Sequence, residues 1–195
     1  MDTLNLNSLL GRDSLVQQIK ATLDHFQKNK QDLLEKRGIY IYGNPGTGKT
    51  KFIRNLLEES GYDVVSFDAG DIRNKSVIET ITSQTMSDKS IVSLFGKKAK
   101  PIAVIMDEID GMNNGDKGGI NALIKLIRPK KTKKQKLEEV TYSPIICIGN
   151  YHIDKKIKEL QKVCTCFEIQ TPTNKQIETL ILKVMPELGE SLTKN

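Results

Sequence analysis

Five side chains in this sequence can carry chemistry by their types and spacing: Lys49, Thr50, Asp107, Glu108 and Asn150. The first two close the run Gly43-Asn44-Pro45-Gly46-Thr47-Gly48-Lys49-Thr50, which has the G-x-x-x-x-G-K-T spacing of a phosphate-binding loop. The glycines let the backbone curl so that several N–H groups converge on anionic oxygens, and a helix opening near Lys49 adds the positive end of its dipole. In such a loop Lys49 reaches the β- and γ-phosphates of a nucleoside triphosphate and the Thr50 hydroxyl holds Mg²⁺. Asp107-Glu108 end the apolar run Ile102-Ala103-Val104-Ile105-Met106 some sixty residues later. A carboxylate at that tip, Asp107, can hold Mg²⁺, usually through water, and the next, Glu108, can polarise an attacking water as general base. Asn150 ends a further apolar run, Pro144-Ile145-Ile146-Cys147-Ile148-Gly149. Alone, an Asn after a strand reads as a turn residue. Third in line behind the loop and the acidic pair, its amide reads as a group that hydrogen-bonds both the γ-phosphate and the attacking water.

These groups need parallel strands to bring them to one edge of a sheet. Ile39-Tyr40-Ile41-Tyr42 reads as a short buried strand before the loop, and Phe52, Ile53, Leu56 and Leu57 fall at helical spacing after it. Continuous apolar runs such as 102–106 suit central strands buried on both faces, and the 102–106 strand is expected beside the loop's own strand. Asp63 to Phe67 is a candidate second strand and Phe167-Glu168-Ile169 a short last one. Leu15, Ile19, Leu23 and Phe26 mark an amphipathic helix near the start, and Lys28 to Arg37 reads as a polar linker or helix extension. Thr171-Pro172-Thr173-Asn174 punctuates the chain, with Thr173 or Asn174 as cap of a helix whose stripe is Ile177, Leu180, Ile181 and Val184. The fold class expected is α/β: a three-layer α/β/α P-loop core with a central parallel sheet over residues 1–170, and a helical segment over 171–195.

The order strand, GNPGTGKT, strand ending MDEIDGM, strand ending GN resembles the AAA+ ATPases. The match is closest to the clamp-loader branch and the large-subunit family of replication factor C. Asp107 to Met112, then Asp116-Lys117-Gly118-Gly119-Ile120, then Ile145-Ile146-Cys147 and Asn150 carry it, as do Asn74-Lys75-Ser76 with Ile78, Ile81 and Ser90-Ile91 beyond. This resemblance covers roughly residues 8 to 175. It implies ATP and Mg²⁺ as ligands, with Asn44, Pro45, Gly46, Thr47, Gly48, Lys49 and Thr50 around the phosphates. It also implies that Gly11 and Arg12 pack by the adenine, where spacing alone shows only a helix entry. Implied partners are other clamp-loader subunits in a hetero-oligomer, a sliding clamp, and primer–template DNA. The expected location is intracellular, in the nucleus or at the site of DNA replication.

Charge is unevenly divided. Residues 1–95 carry 12 Lys/Arg against 12 Asp/Glu, and residues 96–195 carry 18 against 12, so the whole formal charge of +6 lies in the second half. Lys117, Lys125, Arg128, Lys130, Lys131, Lys133, Lys134 and Lys136 run without an acid until Glu138. In clamp loaders the corresponding region faces a channel holding DNA, so the resemblance implies that Lys117, Lys125, Arg128, Lys130, Lys131, Lys133 and Lys134 track phosphates. The glycine pair ahead of an Asn121–Leu126 helix adds exposed N–H groups. No aromatic residue interleaves these lysines, so contact with DNA is expected to be sequence-independent and salt-sensitive. Lys130-Lys131-Thr132-Lys133 also matches a short nuclear-import pattern.

At 195 residues there is room for one sizeable core and little more. No apolar run approaches the eighteen or so residues of a membrane span, and Met1 to Asn5 lacks the basic and apolar regions of a secretory leader. Cys147 reads as a small core residue. Cys164-Thr165-Cys166, with neither His25 nor His152 completing it, is no zinc pattern, and the three cysteines suit a reducing compartment. The arginines are Arg12, Arg37, Arg54, Arg73 and Arg128. By the resemblance, residues 171–195 are the beginning of a helical lid domain that is incomplete, a lid arginine that closes on the γ-phosphate is missing, and Lys162-Val163-Cys164 stands where a neighbour-facing arginine finger would be. Slow hydrolysis alone and dependence on partner subunits are expected. Two alternatives stay open: a non-catalytic assembly subunit that uses nucleotide as glue, and another AAA+ branch such as a replication initiator or checkpoint loader. A protein-unfolding branch is disfavoured because no aromatic-hydrophobic-Gly pore loop follows the second strand.

Overall fold

The computed structural model describes residues 6–68, 100–114, 117–151 and 155–185, with side chains left out at 112–118. The Asn74-to-Ile91 segment, the pore-loop position, Asp116 and His152 lie outside the described residues.

Five strands form one parallel sheet: β1 (Gly38–Tyr42), β2 (Asp63–Phe67), β3 (Ile102–Met106), β4 (Ile145–Gly149) and β5 (Cys164–Glu168). Their spatial order is β2-β3-β4-β1-β5. β4 is therefore the direct neighbour of β1, with Tyr40 opposite Cys147, and β3 lies one strand further out. This corrects the expectation that the 102–106 strand runs beside the P-loop strand. Hydrophobicity alone marks a strand as central without saying which central place it takes. β5 also starts earlier than the sequence suggests, at Cys164 rather than Phe167, because its mixed side chains hide the period.

Side-chain alternation sorts the sheet residues to two faces. Ile39, Ile41, Ala103, Ile105, Ile146 and Ile148 pack against Ile19 and Leu23 of α2 (Asp13–Asn29) and against Phe52, Ile53, Leu56 and Leu57 of α3 (Lys49–Glu59). On the other face Tyr40, Val104, Met106, Ile145 and Cys147 pack against Ile120, Leu123 and Leu126 of α4 (Lys117–Ile127) and against Ile157 and Leu160 of α6 (Lys155–Val163). The result is the expected three-layer α/β/α core. Each fully buried aliphatic side chain contributes about 1.5–3 kcal/mol, so β3 and β4, buried at all five positions, anchor it.

Three shorter pieces complete the described chain: α1 (Leu6–Leu9), a 3₁₀ turn (Ile109–Asn114) directly after β3, and α5 (Lys133–Lys136). α7 (Asn174–Val184) follows β5; Thr173 caps it, with Gln176 reaching back to complete a capping box. The linker 30–37 is not merely polar. Arg37, 1% exposed, donates to the carbonyls of Lys30 (2.9 Å), Asp32 (2.8 Å) and Thr141 (2.7 Å), with its guanidinium over the Phe26 and Tyr142 rings. It fastens the start of β1 to the segment before β4. Burial lowers its pKa, opposed by Tyr142, Asp32 and Glu35.

Candidate active site

All five side chains singled out by chemistry stand at the carboxyl ends of the strands, where an α/β sheet binds its ligands. β1 delivers the loop 43–48. Gly46 (φ +78°) and Gly48 (φ +77°) are left-handed, and a Cβ at either would meet nothing within 4 Å, so backbone conformation rather than crowding demands glycine there. Helix α3 opens at Lys49, leaving its first-turn N–H groups without helical partners. The loop is braced from outside: Thr47 Oγ1 donates to the Asn44 carbonyl (3.0 Å), and Asn44 Nδ2 donates to Thr171 Oγ1 (2.8 Å).

Lys49 folds back over the loop. Its Nζ donates to the carbonyls of Gly43 (3.0 Å) and Asn44 (2.9 Å) and to Asn150 Oδ1 (3.0 Å). Burial lowers its pKa, and the fields of Asp110 and Asp107 oppose that. Thr50 Oγ1 donates to Asp107 Oδ2 at 2.6 Å, so hydroxyl and carboxylate share one point although β4 separates their strands. Asp107 Oδ1 accepts the N–H of Glu108 (2.9 Å), while the Asp107 N–H is held by the Phe67 carbonyl (2.8 Å). Glu108 itself has φ +52°, a left-handed conformation that strains a residue with a side chain. Pro45, Gly46, Gly48, Lys49, Thr50, Asp107, Glu108 and Asn150 line one open cavity of about 390 Å³. An oxygen-only pair, Thr50 and Asp107, beside the lysine fits a hard divalent cation such as Mg²⁺.

A second cavity of about 630 Å³ adjoins the loop at Thr47 and Gly48, bounded by Leu6, Leu10 and Arg12, by Phe52, and by Leu180 of α7. Arg12 is 8% exposed; it donates to the Thr47 carbonyl (2.8 Å) and lies over the Phe52 ring. Its guanidinium therefore braces the loop, and burial lowers its pKa. Gly11 is left-handed (φ +64°) and packs close to Gln176, joining the α1–α2 corner to α7.

The basic stretch 117–136 divides into parts with different roles. Lys130 has a side chain 0% exposed; its Nζ donates to the Lys125 carbonyl (2.5 Å) and to Glu138 Oε2 (3.2 Å). Arg128 pairs with the same carboxylate (2.5 Å). The expectation that Lys130 tracks DNA phosphates is therefore corrected, and Arg128 is already engaged. A lysine count cannot reveal that Glu138 folds back on two of them. Lys125, Lys131, Lys133 and Lys134 are exposed. Lys117 begins α4 one helix length, roughly 16 Å, from Ile127, whose carbonyl receives the Arg37 N–H beside the start of β1. The exposed lysines 131–134 thus lie toward the amino end of the sheet, away from the cavity at Lys49 and Asp107. Helix α4 also begins earlier than expected, and the glycine pair lies in its first turn.

Sequence reasoning gave no role to Asp110, although three acids within 107–110 were a signal. Asp110 also lines the cavity, and its Oδ2 accepts from Asn150 Nδ2 (2.9 Å). Arg37 was passed over too, because a lone arginine in a linker has no sequence signature.

Residues 39–172 match the model of the ATPase family associated with various cellular activities (AAA). The chain is 32% identical over 161 residues to human replication factor C subunit 1, covering 80% of this chain and 13% of that protein. It is 28% identical over 205 residues to the subunit 1 of Schizosaccharomyces pombe, covering 97% of this chain and 21% of that one. The replication factor C large subunit of the archaeon Methanococcus aeolicus is 24% identical over 185 residues, covering 94% of this chain and 35% of its own. The chain thus spans about a third or less of these relatives. Among the described residues, no helix is long and apolar enough to cross a membrane.

Proposed function

This chain belongs to the AAA family of ATPases, and from that premise we propose that it binds and hydrolyses ATP as a subunit of a clamp-loader-like complex acting at DNA. The observation that supports the reading most is the convergence of Lys49, Thr50, Asp107 and Asn150 from three separate strand ends. The triphosphate lies along the loop 43–48, its β- and γ-oxygens facing the N–H groups that open α3. Lys49 exchanges a carbonyl or amide partner for phosphate, which offsets the burial that lowers its pKa. Mg²⁺ held by Thr50 and Asp107 would neutralise charge on the β- and γ-phosphates. Glu108, at the mouth of the cavity, takes a proton from the attacking water. Asn150 holds that water or the γ-phosphate by its amide. The adenine occupies the second cavity, between Leu10, Phe52 and Leu180.

None of the arginines among the described residues lines the phosphate cavity. Arg12 and Arg37 are spent on carbonyls, Arg54 on Ser66 and Arg128 on Glu138. An arginine from a neighbouring subunit would raise the rate by orders of magnitude, so slow turnover is expected without partners. The exposed lysines Lys125, Lys131, Lys133 and Lys134 are the candidates for sequence-independent DNA contact, with Lys117 at a separate place; a nuclear site of action fits this reading. A cavity lined by no arginine among the described residues also fits a second reading, a subunit that holds ATP as glue between partners.

Glu108→Gln decides between them. ATP affinity and ATPase rate are measured with and without primer–template DNA across a salt series. The clamp-loader reading expects tight ATP binding in both proteins and a DNA-stimulated rate that the substitution abolishes. An unchanged residual rate in Glu108→Gln would sink the catalytic assignment, and loss of ATP binding in the parent chain would sink both readings.

A further inference from the structure

Asn150 has both ends of its amide engaged, and its partners leave one assignment of oxygen and nitrogen. A lysine ammonium only donates and an ionised carboxylate only accepts. Lys49 Nζ lies 3.0 Å from one end of the amide and Asp110 Oδ2 lies 2.9 Å from the other. The carbonyl therefore faces Lys49 and the NH₂ faces Asp110. A flip would set oxygen against carboxylate and NH₂ against ammonium. The same Asp110 oxygen receives the backbone N–H of Asn150 (3.4 Å), so the carboxylate grips side chain and main chain together.

The other carboxylate oxygen of Asp110, Oδ1, is enclosed in the fold and has no hydrogen-bond partner, and the same holds for the hydroxyl of Tyr40. Both flank Gly149: a Cβ there would fall under 3.0 Å from the Tyr40 hydroxyl and 3.6 Å from Asp110 Oδ1. Asp110 comes from the 3₁₀ turn that follows β3, and Asn150 from the end of β4. The contact therefore ties the Glu108 segment to the Asn150 strand tip.

We propose that Asp110 is a positioning residue for hydrolysis: it locks the orientation of the Asn150 amide and acts on the γ-phosphate end of the nucleotide through Asn150. When Lys49 leaves Asn150 for phosphate, the amide loses its ammonium partner. Asp110 keeps the carbonyl pointed into the cavity as an acceptor for the attacking water, with the second N–H of the NH₂ left for a phosphate oxygen. An anionic carboxylate gains nothing from direct approach to a triphosphate. Its effect should thus appear in turnover and in recognition of the γ-phosphate, not in grip on ADP. This inference rests on the reading that the site hydrolyses ATP.

The test is a double-mutant cycle on Asp110→Ala and Asn150→Ala, with Asp110→Asn as the conservative control. Two quantities are read on the purified chain: kcat for ATP, and the ratio of ATP to ADP affinities from displacement of a fluorescent ADP analogue. A misaimed group costs on the order of tenfold to a hundredfold in rate, so Asp110→Ala is expected to lower kcat about as far as Asn150→Ala. ADP affinity should stay within about twofold, and the double variant should lose no more than either single one, as for groups acting as a unit. Asp110→Asn, whose own carbonyl accepts from the NH₂, should recover most of the loss. Additive losses, a shared drop in ADP affinity, or an Asp110→Ala protein as active as the parent would overturn the proposal. If the parent chain shows no turnover, the affinity ratio carries the same cycle. A non-additive ratio would then uphold the coupling of Asp110 to Asn150 in γ-phosphate recognition, and an additive one would overturn it.

Discussion

Gly149→Ala places one methyl group where the structure has no room. The new Cβ would stand under 3.0 Å from the Tyr40 hydroxyl, with the ring Cζ at 3.2 Å behind it. Tyr40 is 0% exposed, stacked on Tyr42 and enclosed by the core layer of α4 and α6, so its ring has no path of retreat. Overpacking of this kind costs about 1–3 kcal/mol. Taking about 2 kcal/mol, and about 2–4 °C per kcal/mol for a chain of this size, Tm should fall by roughly 4–8 °C. Tyr40→Phe removes the clashing atom, after which Asp110 Oδ1 at 3.6 Å is in ordinary contact and the ring Cζ at 3.2 Å needs to give only by a few tenths of an ångström. By itself Tyr40→Phe should be neutral or slightly stabilising, because the hydroxyl it deletes is buried without a partner. In the Tyr40→Phe background the penalty of Gly149→Ala should shrink to under about 1 kcal/mol, a coupling of at least about 1 kcal/mol. Urea unfolding of the four proteins measures every corner. The reasoning would be refuted by an equal penalty in both backgrounds, or by a Tyr40→Phe protein clearly less stable than its parent.

Further consequences follow from other junctions. Arg37→Ala should lose about 3–5 kcal/mol in urea unfolding, since it abandons three buried carbonyls; Arg37→Lys should rescue little, as one ammonium cannot span them. Glu138→Ala leaves Lys130 buried without its carboxylate. Its cost should fall between the ~0–1 kcal/mol of an exposed pair and the ~3–5 kcal/mol of a buried one, with the salt slope of any DNA binding unchanged. Arg128, then Lys130, hold the Glu138 carboxyl below its ordinary value of 4.5. A depressed carboxyl stabilises the fold above its unfolded pKa and loses that as pH falls through the folded one. The stability gap between the parent and Glu138→Gln should therefore close as pH drops below about 4.5. Thr50→Ala removes one partner of the Thr50–Asp107 pair, and the Mg²⁺ concentration for half-maximal ATPase should rise at least about tenfold, or about 1.4 kcal/mol; an unchanged midpoint would exclude Thr50 from the metal site.

Much of the site was legible because its motifs are local. The residues 43–50 carry the turn chemistry, the glycines and the lysine in one stretch, and the strands before 107 and 150 declare themselves by unbroken apolar runs. In the folded sheet, alternation along each strand sorts the layers, with Ile39 and Ile41 facing one way and Tyr40 the other. The basic stretch shows the limit of such reading. Eight cations without an acid look like one surface, yet Lys130 is enclosed in the fold and Lys117 stands a helix length from Lys131.

The sequence by itself determined the class of fold and which side chains gather at one cavity, because short-range spacing dictates the phosphate loop and the apolar period dictates strand and helix. Tertiary structure alone decided the rest. Pairing placed β4 between β1 and β3 and so brought Asn150 between Lys49 and Asp110. Burial turned Arg12, Arg37 and Lys130 from surface charges into internal braces. Those outcomes depend on contacts between residues up to about a hundred positions apart, where no periodicity or motif in the chain records which partner a charge will find.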